Sequence, residues 1–113
     1  MQELRDKLQA LHAALCAAGD SHWAALVAAA IERPDADLAA FLKSAELWGS
    51  QCSLCDRAFQ SCDTNLRRRG TKALIALGKQ QLAWGVRDGQ DMLHERTKTW
   101  TNALSDWLRE GVI

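Results

Sequence analysis

The stretch QELRDKLQALHAALCAAGDSHWAALVAAAI, residues 2–31, decides the fold of this chain. Four leucines recur in its first half at steps of four, three and four residues, the spacing of one face of an α-helix: Leu4, Leu8, Leu11 and Leu15. Gly19 ends this helix, because glycine readily takes the left-handed conformation of a helix C-terminus. Asp20 or Ser21 can then cap a second helix, so the stretch predicts an antiparallel helical hairpin.

Helical spacing continues beyond this hairpin in segments that proline and glycine delimit. Pro34 ends the second helix, since proline supplies no backbone N–H to continue it. Asp35 is the expected N-cap of a third helix, which runs to Trp48 and stops at Gly49. A short helix with three cysteines along one stripe is expected next, over residues 50–62.

A long helix is predicted from near residue 64 or 71 to about residue 86, where leucines again recur at helical spacing. Gly70 and Gly78 lie inside it and are expected to kink or shorten it, because glycine weakens a helix interior. Gly89 separates this helix from a last one, which an aspartate on either side of Gly89 can cap and which ends before Gly111.

These patterns predict an all-α fold. No segment alternates apolar and polar residues as a strand does, tyrosine is absent, and β-branched residues are sparse. With 113 residues, 48% of them hydrophobic, the chain is long enough to bury a core of its own. We therefore predict a single domain over residues 1–113, built of five to six helices in a bundle-like or orthogonal array.

Charge is distributed unevenly along the chain, although the formal net charge is zero. Residues 1–50 carry four basic and seven acidic side chains, whereas residues 51–113 carry ten basic and seven acidic ones. Such a dipole favours self-association, including a homodimer, over nucleic-acid binding, which requires a clear positive excess. We expect a protein partner or a second copy of the chain, and no nucleic acid.

The sequence also indicates a compartment. Its first residues, MQELRDKLQ, have neither the basic start nor the apolar run of a signal peptide. No stretch approaches the roughly 18 apolar residues of a membrane span. Four cysteines without a secretory signal indicate reduced thiols, so we expect a cytoplasmic protein that does not enter a membrane.

Three cysteines are the first candidates for chemistry. Cys52 and Cys55 are three residues apart, as zinc ligands often are, and Cys62 follows at helical spacing. A second chelating pair is missing, however, and thiols on an apolar stripe pack as small hydrophobic residues. Core packing is the favoured interpretation and no cofactor is expected. A metal- or small-ligand-binding module that uses these thiols is the alternative.

Two further groups indicate a partner surface. Arg67, Arg68 and Arg69 form a basic cluster without interleaved aromatic residues, which favours salt bridges to a protein over nucleic-acid binding. Tryptophan is a common interface anchor, but four of the five tryptophans fit apolar stripes. Trp84 precedes a glycine near a helix end and is the expected partner contact, with Trp48 as the second choice.

Motifs of catalysis are incomplete in this chain. HERTK at residues 94–98 has a lysine where a zinc-protease helix requires its second histidine. GTKA at residues 70–73 lacks the upstream glycine and the residue order of a phosphate-binding loop. No nucleophile can be paired with a base, so we predict no catalytic residues and no enzyme.

The segment ELWGSQCSLCD at residues 46–56 resembles a motif, roughly E-L-W-G-G-x-G-S-I-x-D, of small bacterial all-helical proteins known as domains of unknown function. Six residues match this motif: Glu46, Leu47, Trp48, Gly49, Ser53 and Asp56. Ser50 and Cys52 stand where the motif has glycine, and Leu54 where it has isoleucine. The likeness covers about residues 4–107 and implies the helical fold, but no reaction or ligand.

The same segment is the candidate functional corner of the fold. Gly49 is expected to let the chain turn after Trp48, while Ser53 and Asp56 bind free amides at the start of the next helix. A structural corner is the favoured interpretation; the alternative presents Glu46, Ser53 and Asp56 to a ligand or partner. Taken together, the sequence predicts a non-enzymatic, adaptor- or immunity-like domain for protein–protein interaction.

Overall fold

The structure, a computed structural model, describes residues 1–60, 62–88 and 92–112, with the side chains of all of these except 85–88 and 92–94. The described residues form five helices of eight or more residues, two single-turn helices and no strand, which confirms the all-α prediction. The helices are α1 (Gln2–Ala18), α2 (Ser21–Ile31), α3 (Asp35–Leu42), α4 (Ala45–Trp48), α5 (Leu54–Arg57), α6 (Thr64–Asp88) and α7 (Met92–Glu110). The break predicted at Gly89 and the cap predicted at Asp91 lie outside the described residues.

Helices α1 and α2 form the predicted antiparallel hairpin. Gly19 has a φ of 77° and its N–H bonds to a carbonyl of the last turn of α1, so it ends that helix in the left-handed conformation. At the other end of the hairpin, the Arg5 guanidinium donates to the carbonyls of Ile31 and Arg33. These bonds fasten the start of α1 to the end of α2.

The carboxylates of Asp20 and Asp35, two of the aspartates predicted as N-caps, bind elsewhere. Asp20 precedes α2, but its carboxylate accepts a hydrogen bond from the Phe59 N–H at 2.8 Å and so fastens the loop after α5 to the hairpin. Asp35 is the first residue of α3, with Pro34 at the cap position, and it pairs with Arg5 at 2.7 Å. Asp20 therefore holds the predicted N-cap position without a capping side-chain bond, whereas the cap predicted at Asp35 is wrong; each carboxylate binds a partner far away in the sequence.

Two predicted helices are shorter in the structure. A break at Lys43 and Ser44 separates α3 from α4, because the Ser44 hydroxyl donates to the Phe41 carbonyl at 2.6 Å and Ser44 takes an extended conformation. The helix predicted over residues 50–62 is also wrong, since only the single turn α5 is helical among the described residues of this stretch, 50–60 and 62. Between α3 and α6 the helical segments are therefore the two single turns α4 and α5, as far as residues 43–60 and 62–63 are concerned.

Helix α6 is the central element and packs against both α1 and α7. It begins at Thr64 and runs without a break through Gly70 and Gly78, so neither glycine shortens it. A Cβ at Gly70 would lie 2.4 Å from the Phe59 ring, and one at Gly78 would lie 2.1 Å from the Thr101 hydroxyl oxygen. The two glycines therefore serve close packing against their neighbours.

One apolar core joins α1 to α3, α4 and α6. The four leucines of the predicted α1 stripe all lie within it, each at most 2% exposed. Trp48 of α4 is fully buried in the same core. No helix in the described part of the chain is long and apolar enough to cross a bilayer.

Candidate functional site

The predicted corner at residues 46–56 is held together by hydrogen bonds within itself. The Ser53 hydroxyl donates to the Gly49 carbonyl at 2.7 Å and accepts from the Asp56 N–H at 3.1 Å. The Asp56 carboxylate accepts from the Cys52 N–H at 2.9 Å, which completes a variant of the capping box. Ser53 is fully buried, so its hydroxyl serves the corner and does not face a ligand.

Gly49 is required for space and not for a left-handed turn. Its φ of −59° is accessible to any residue. The prediction that the turn needs the conformational freedom of glycine is therefore wrong. Its N–H bonds to the Ala45 carbonyl at 3.0 Å, and a Cβ would lie only 2.5 Å from that oxygen. The Gly49 carbonyl also accepts a hydrogen bond from Trp100 Nε1 at 3.2 Å. This bond ties the corner to α7.

A buried polar network lies behind the corner. Trp48 Nε1 donates to Gln81 Oε1 at 2.8 Å, and Gln81 Nε2 donates to the Leu42 carbonyl at 2.6 Å. Leu42 is the last residue of α3, so Gln81 satisfies a carbonyl that the break before α4 leaves without a helical partner. Gln81 Nε2 is also 3.4 Å from the Thr97 hydroxyl of α7. Because Trp48 is fully buried, it does not offer the partner contact considered for it.

The more accessible residues of the corner border different hollows. Glu46 is exposed and borders an open hollow beside Arg33 and Asp37, on the α3 side. Asp56 is partly buried and borders another hollow, beside α6 and α7. The alternative that Glu46, Ser53 and Asp56 act together on one ligand therefore has no support in this geometry.

The three thiols of the alternative metal site are divided between surface and core. Cys52 is exposed, and its sulfur lies 3.5 Å from Arg57 Nη2. Cys55 is buried, and this burial, reinforced by the Asp56 carboxylate, raises the pKa of its thiol far above the ordinary value. Burial also raises the pKa of Cys62, whereas a metal ligand has to be a thiolate. Among the described residues, no three His, Cys, Asp or Glu side chains are arranged to hold a metal ion.

The backbone at Cys52 is strained, with a φ of 58° where the resembled motif has glycine. This left-handed conformation costs a residue with a Cβ roughly 1–2 kcal/mol. We expect Cys52→Gly to raise the free energy of unfolding by about 0.5–1 kcal/mol, because glycine removes the strain but loses more backbone entropy on folding. Urea unfolding followed by circular dichroism measures this change. Cys52→Ala removes the thiol and keeps the Cβ, so an equal gain from Cys52→Ala would contradict the explanation.

The predicted interface does not form a single surface. Arg67 and Arg69 are exposed at the start of α6, whereas Trp84 lies about 25 Å further along the helix axis. Trp84 is half-buried, and the Lys43 ammonium lies 5.2 Å from its ring centre. Arg68 is partly buried, while Arg67 borders the hollow beside α7. Among the residues of the predicted interface, Arg67 is therefore the one that borders a hollow next to α7.

Helix α7 carries an aromatic pair that reaches the surface. Trp107 is 40% exposed, and its ring meets that of Trp100 edge to face, with 6.5 Å between the ring centres. These two side chains form the tryptophan ridge. Trp100 Nε1 is bonded to the Gly49 carbonyl, so the corner supports the ridge from behind.

A hollow lies on each side of the tryptophan ridge. The first, of about 320 Å³, has Arg67 at its edge and a floor of buried residues: Cys55, Phe59, Leu74 and Leu104. The second, of about 290 Å³, lies against Trp48 and Ser50 of the corner, with Arg96 of α7 at its edge. Large aromatic side chains exposed beside apolar hollows are typical of interaction surfaces. We therefore identify the tryptophan ridge and its two hollows as the candidate functional site.

Comparisons with known proteins neither support nor oppose this choice of site. No protein-family model matches the chain, and no curated protein or solved structure is significantly similar to it. The resemblance at residues 46–56 to small bacterial helical proteins stays a hypothesis.

Proposed function

We propose that this protein is a non-enzymatic interaction domain that binds a protein partner through the tryptophan ridge. The observation that carries the proposal is Trp107, which is 40% exposed and borders two hollows, the first of mixed polar and apolar lining and the second mainly apolar. Tryptophan is strongly enriched among the residues that dominate the binding energy of protein interfaces. The apolar core is built of other side chains, among them Trp48, which is fully buried.

The hydrogen bonds of the corner support binding over catalysis. The Ser53 hydroxyl and the Asp56 carboxylate both bind backbone groups of the corner, which occupies them in holding its turns. All four cysteines are free thiols, which suits a protein that acts in the reducing cytoplasm.

Photocross-linking tests the proposed contact face. We would place benzoylphenylalanine at Val112, which is 66% exposed and borders the first hollow, in the cells that make the protein. We expect one discrete adduct with a protein that mass spectrometry identifies, and we expect Trp107→Ser to abolish it. The same photoreactive residue at Ala29, exposed on α2, is the matched control and should give no such adduct.

Two results would contradict this proposal. One is the absence of any adduct from Val112 beyond those from Ala29. The other is an adduct that persists unchanged with Trp107→Ser, because the contact would then not involve the ridge. An adduct between two copies of the chain would support the proposal and identify the partner as a second copy.

A further inference from the structure

Two arginines beside the tryptophan ridge have no carboxylate partner in the described part of the chain. Arg67 borders the first hollow and Arg96 borders the second. Three other arginines, which border neither hollow, are paired within the protein: Arg5 with Asp35, Arg57 with Asp56, and Arg109 with Asp106. The two hollows thus each combine apolar surface with one guanidinium group that is free to bind a carboxylate from outside.

Acidic side chains near the hollows are already engaged or lie away from them. Asp56, at the first hollow, pairs with Arg57 at 3.5 Å, and Asp106, next to Trp107, pairs with Arg109 at 2.6 Å. The exposed carboxylates at the two ends of α7 border neither hollow: Glu95 and Glu110. Arg67 and Arg96 therefore have no ion-paired carboxylate in the described part of the chain, although Asp56 also lines the first hollow and Asp63 lies four residues before Arg67.

We propose that the partner presents an acidic segment to this face, with a large apolar side chain in one hollow and carboxylates that pair with Arg67 and Arg96. This inference rests on the proposed function and specifies the chemistry of the partner. An arginine can bind a carboxylate through two parallel charge-assisted hydrogen bonds, which gives both strength and orientation. The apolar side chain of the partner contributes binding free energy, because it moves from water into contact with Trp107.

A protein segment fits these observations better than nucleic acid does. The chain has a formal net charge of zero, whereas nucleic-acid binding depends on many basic residues along the phosphate backbone. Arg67 and Arg96 border different hollows that share Trp100 and Trp107, and the second of these hollows is lined mainly by apolar side chains. Such a surface is complementary to a protein segment that has an apolar side chain with a carboxylate on either side of it.

A titration monitored by NMR tests the inference. The probe is a peptide of glutamates with one leucine and one phenylalanine four positions apart, and its control has lysine in place of every glutamate. The five tryptophan indole N–H signals of the 15N-labelled protein report where a peptide binds. We expect the acidic peptide to shift the signals of Trp100 and Trp107 and not that of Trp23 on α2. The lysine peptide should leave all five unchanged at the same concentration.

Charge reversal locates the carboxylate contacts. Arg67→Glu and Arg96→Glu should each weaken binding of the acidic peptide about fivefold or more, since each removes an attraction and adds a repulsion. Arg69→Glu on α6 and Lys98→Glu on α7 are matched controls, because both positions are exposed and border neither hollow. At physiological ionic strength these controls should change the affinity by less than about twofold, since salt screens distant charges.

Three results would overturn the inference. Equal shifts with the acidic and the lysine peptides would remove the acidic preference and leave the proposed contact face standing, because cross-linking from Val112 tests that face separately. An absence of shifts with both peptides would reject the acidic segment as the ligand. Tighter binding of a single-stranded oligonucleotide than of the acidic peptide would identify nucleic acid as the better partner.

Discussion

Gly78→Ala is expected to lower the free energy of unfolding by about 2 kcal/mol, even though alanine favours a helix over glycine by about 1 kcal/mol. A Cβ at this position would lie 2.1 Å from the Thr101 hydroxyl oxygen of α7. Thr101 is buried and its hydroxyl donates to the Thr97 carbonyl at 2.7 Å, so it has little room to move aside. Urea unfolding followed by circular dichroism measures the loss, which reports the contact between α6 and α7.

A double variant separates this contact from other effects of Gly78→Ala. Thr101→Ala removes the hydroxyl and leaves about 3.4 Å between the two Cβ atoms, an ordinary contact. Gly78→Ala combined with Thr101→Ala should therefore recover most of the loss, with a coupling of about 2 kcal/mol in a double-mutant cycle. If Gly78→Ala alone were stabilising, as helix propensity predicts, α6 and α7 would not pack as described.

Gln81→Ala is expected to be more damaging, at about 3–4 kcal/mol, because it leaves two buried polar groups unsatisfied and creates a cavity. Trp48 Nε1 would lose its acceptor at 2.8 Å, and the Leu42 carbonyl would lose its donor at 2.6 Å. Gln81 is only 2% exposed, so water does not replace its amide without a rearrangement. The same unfolding measurement gives the size of the effect.

Gln80 supplies the matched control for Gln81. Gln80→Ala deletes the same groups one position earlier, at a half-buried site of α6, and should change the free energy of unfolding by less than about 0.5 kcal/mol. The Trp48 indole N–H should exchange slowly with deuterium in the unmodified protein and much faster with Gln81→Ala. Equal losses from the two substitutions would contradict the buried network.

A helix is predictable from sequence where apolar residues recur at helical spacing and a residue that ends helices follows them. The leucine stripe of α1 and the left-handed Gly19 are such a case, and both are present in the structure. The prediction fails where a residue's partner is distant in sequence. From sequence alone, Gly78 is a residue that weakens a helix. Its close contact with Thr101 of α7, which explains the glycine, is evident only in the structure.

Gln81 carries a signal that the sequence interpretation overlooked. It follows Leu74 and Leu77 at steps of three and four residues, and it therefore lies on the buried stripe of α6. A polar residue on an apolar stripe indicates a buried hydrogen bond. The identity of its partners does not follow from the sequence, because Trp48 is 33 positions away and the Leu42 carbonyl becomes available only through the break after α3.

The candidate site was predicted only in part. The corner is present and its polar side chains bond its own backbone, whereas the helical spacing of Trp100 and Trp107 predicts core residues and does not predict the tryptophan ridge. Spacing along one helix identifies a shared face and does not show where the neighbouring helices end. Trp107 lies in the last turns of α7, at the edge of the core, and so reaches the surface.

Trp107→Ala, measured for both stability and binding, tests most directly the claim that the tryptophan ridge serves recognition. We predict a loss of about 1–2 kcal/mol in unfolding free energy, which leaves the domain folded, and at least about tenfold weaker binding of the partner identified from Val112. Trp23→Ala, at a half-buried site on α2, should cost similar stability without changing the affinity. The claim is contradicted if Trp107→Ala leaves the affinity unchanged, or if both variants weaken binding equally.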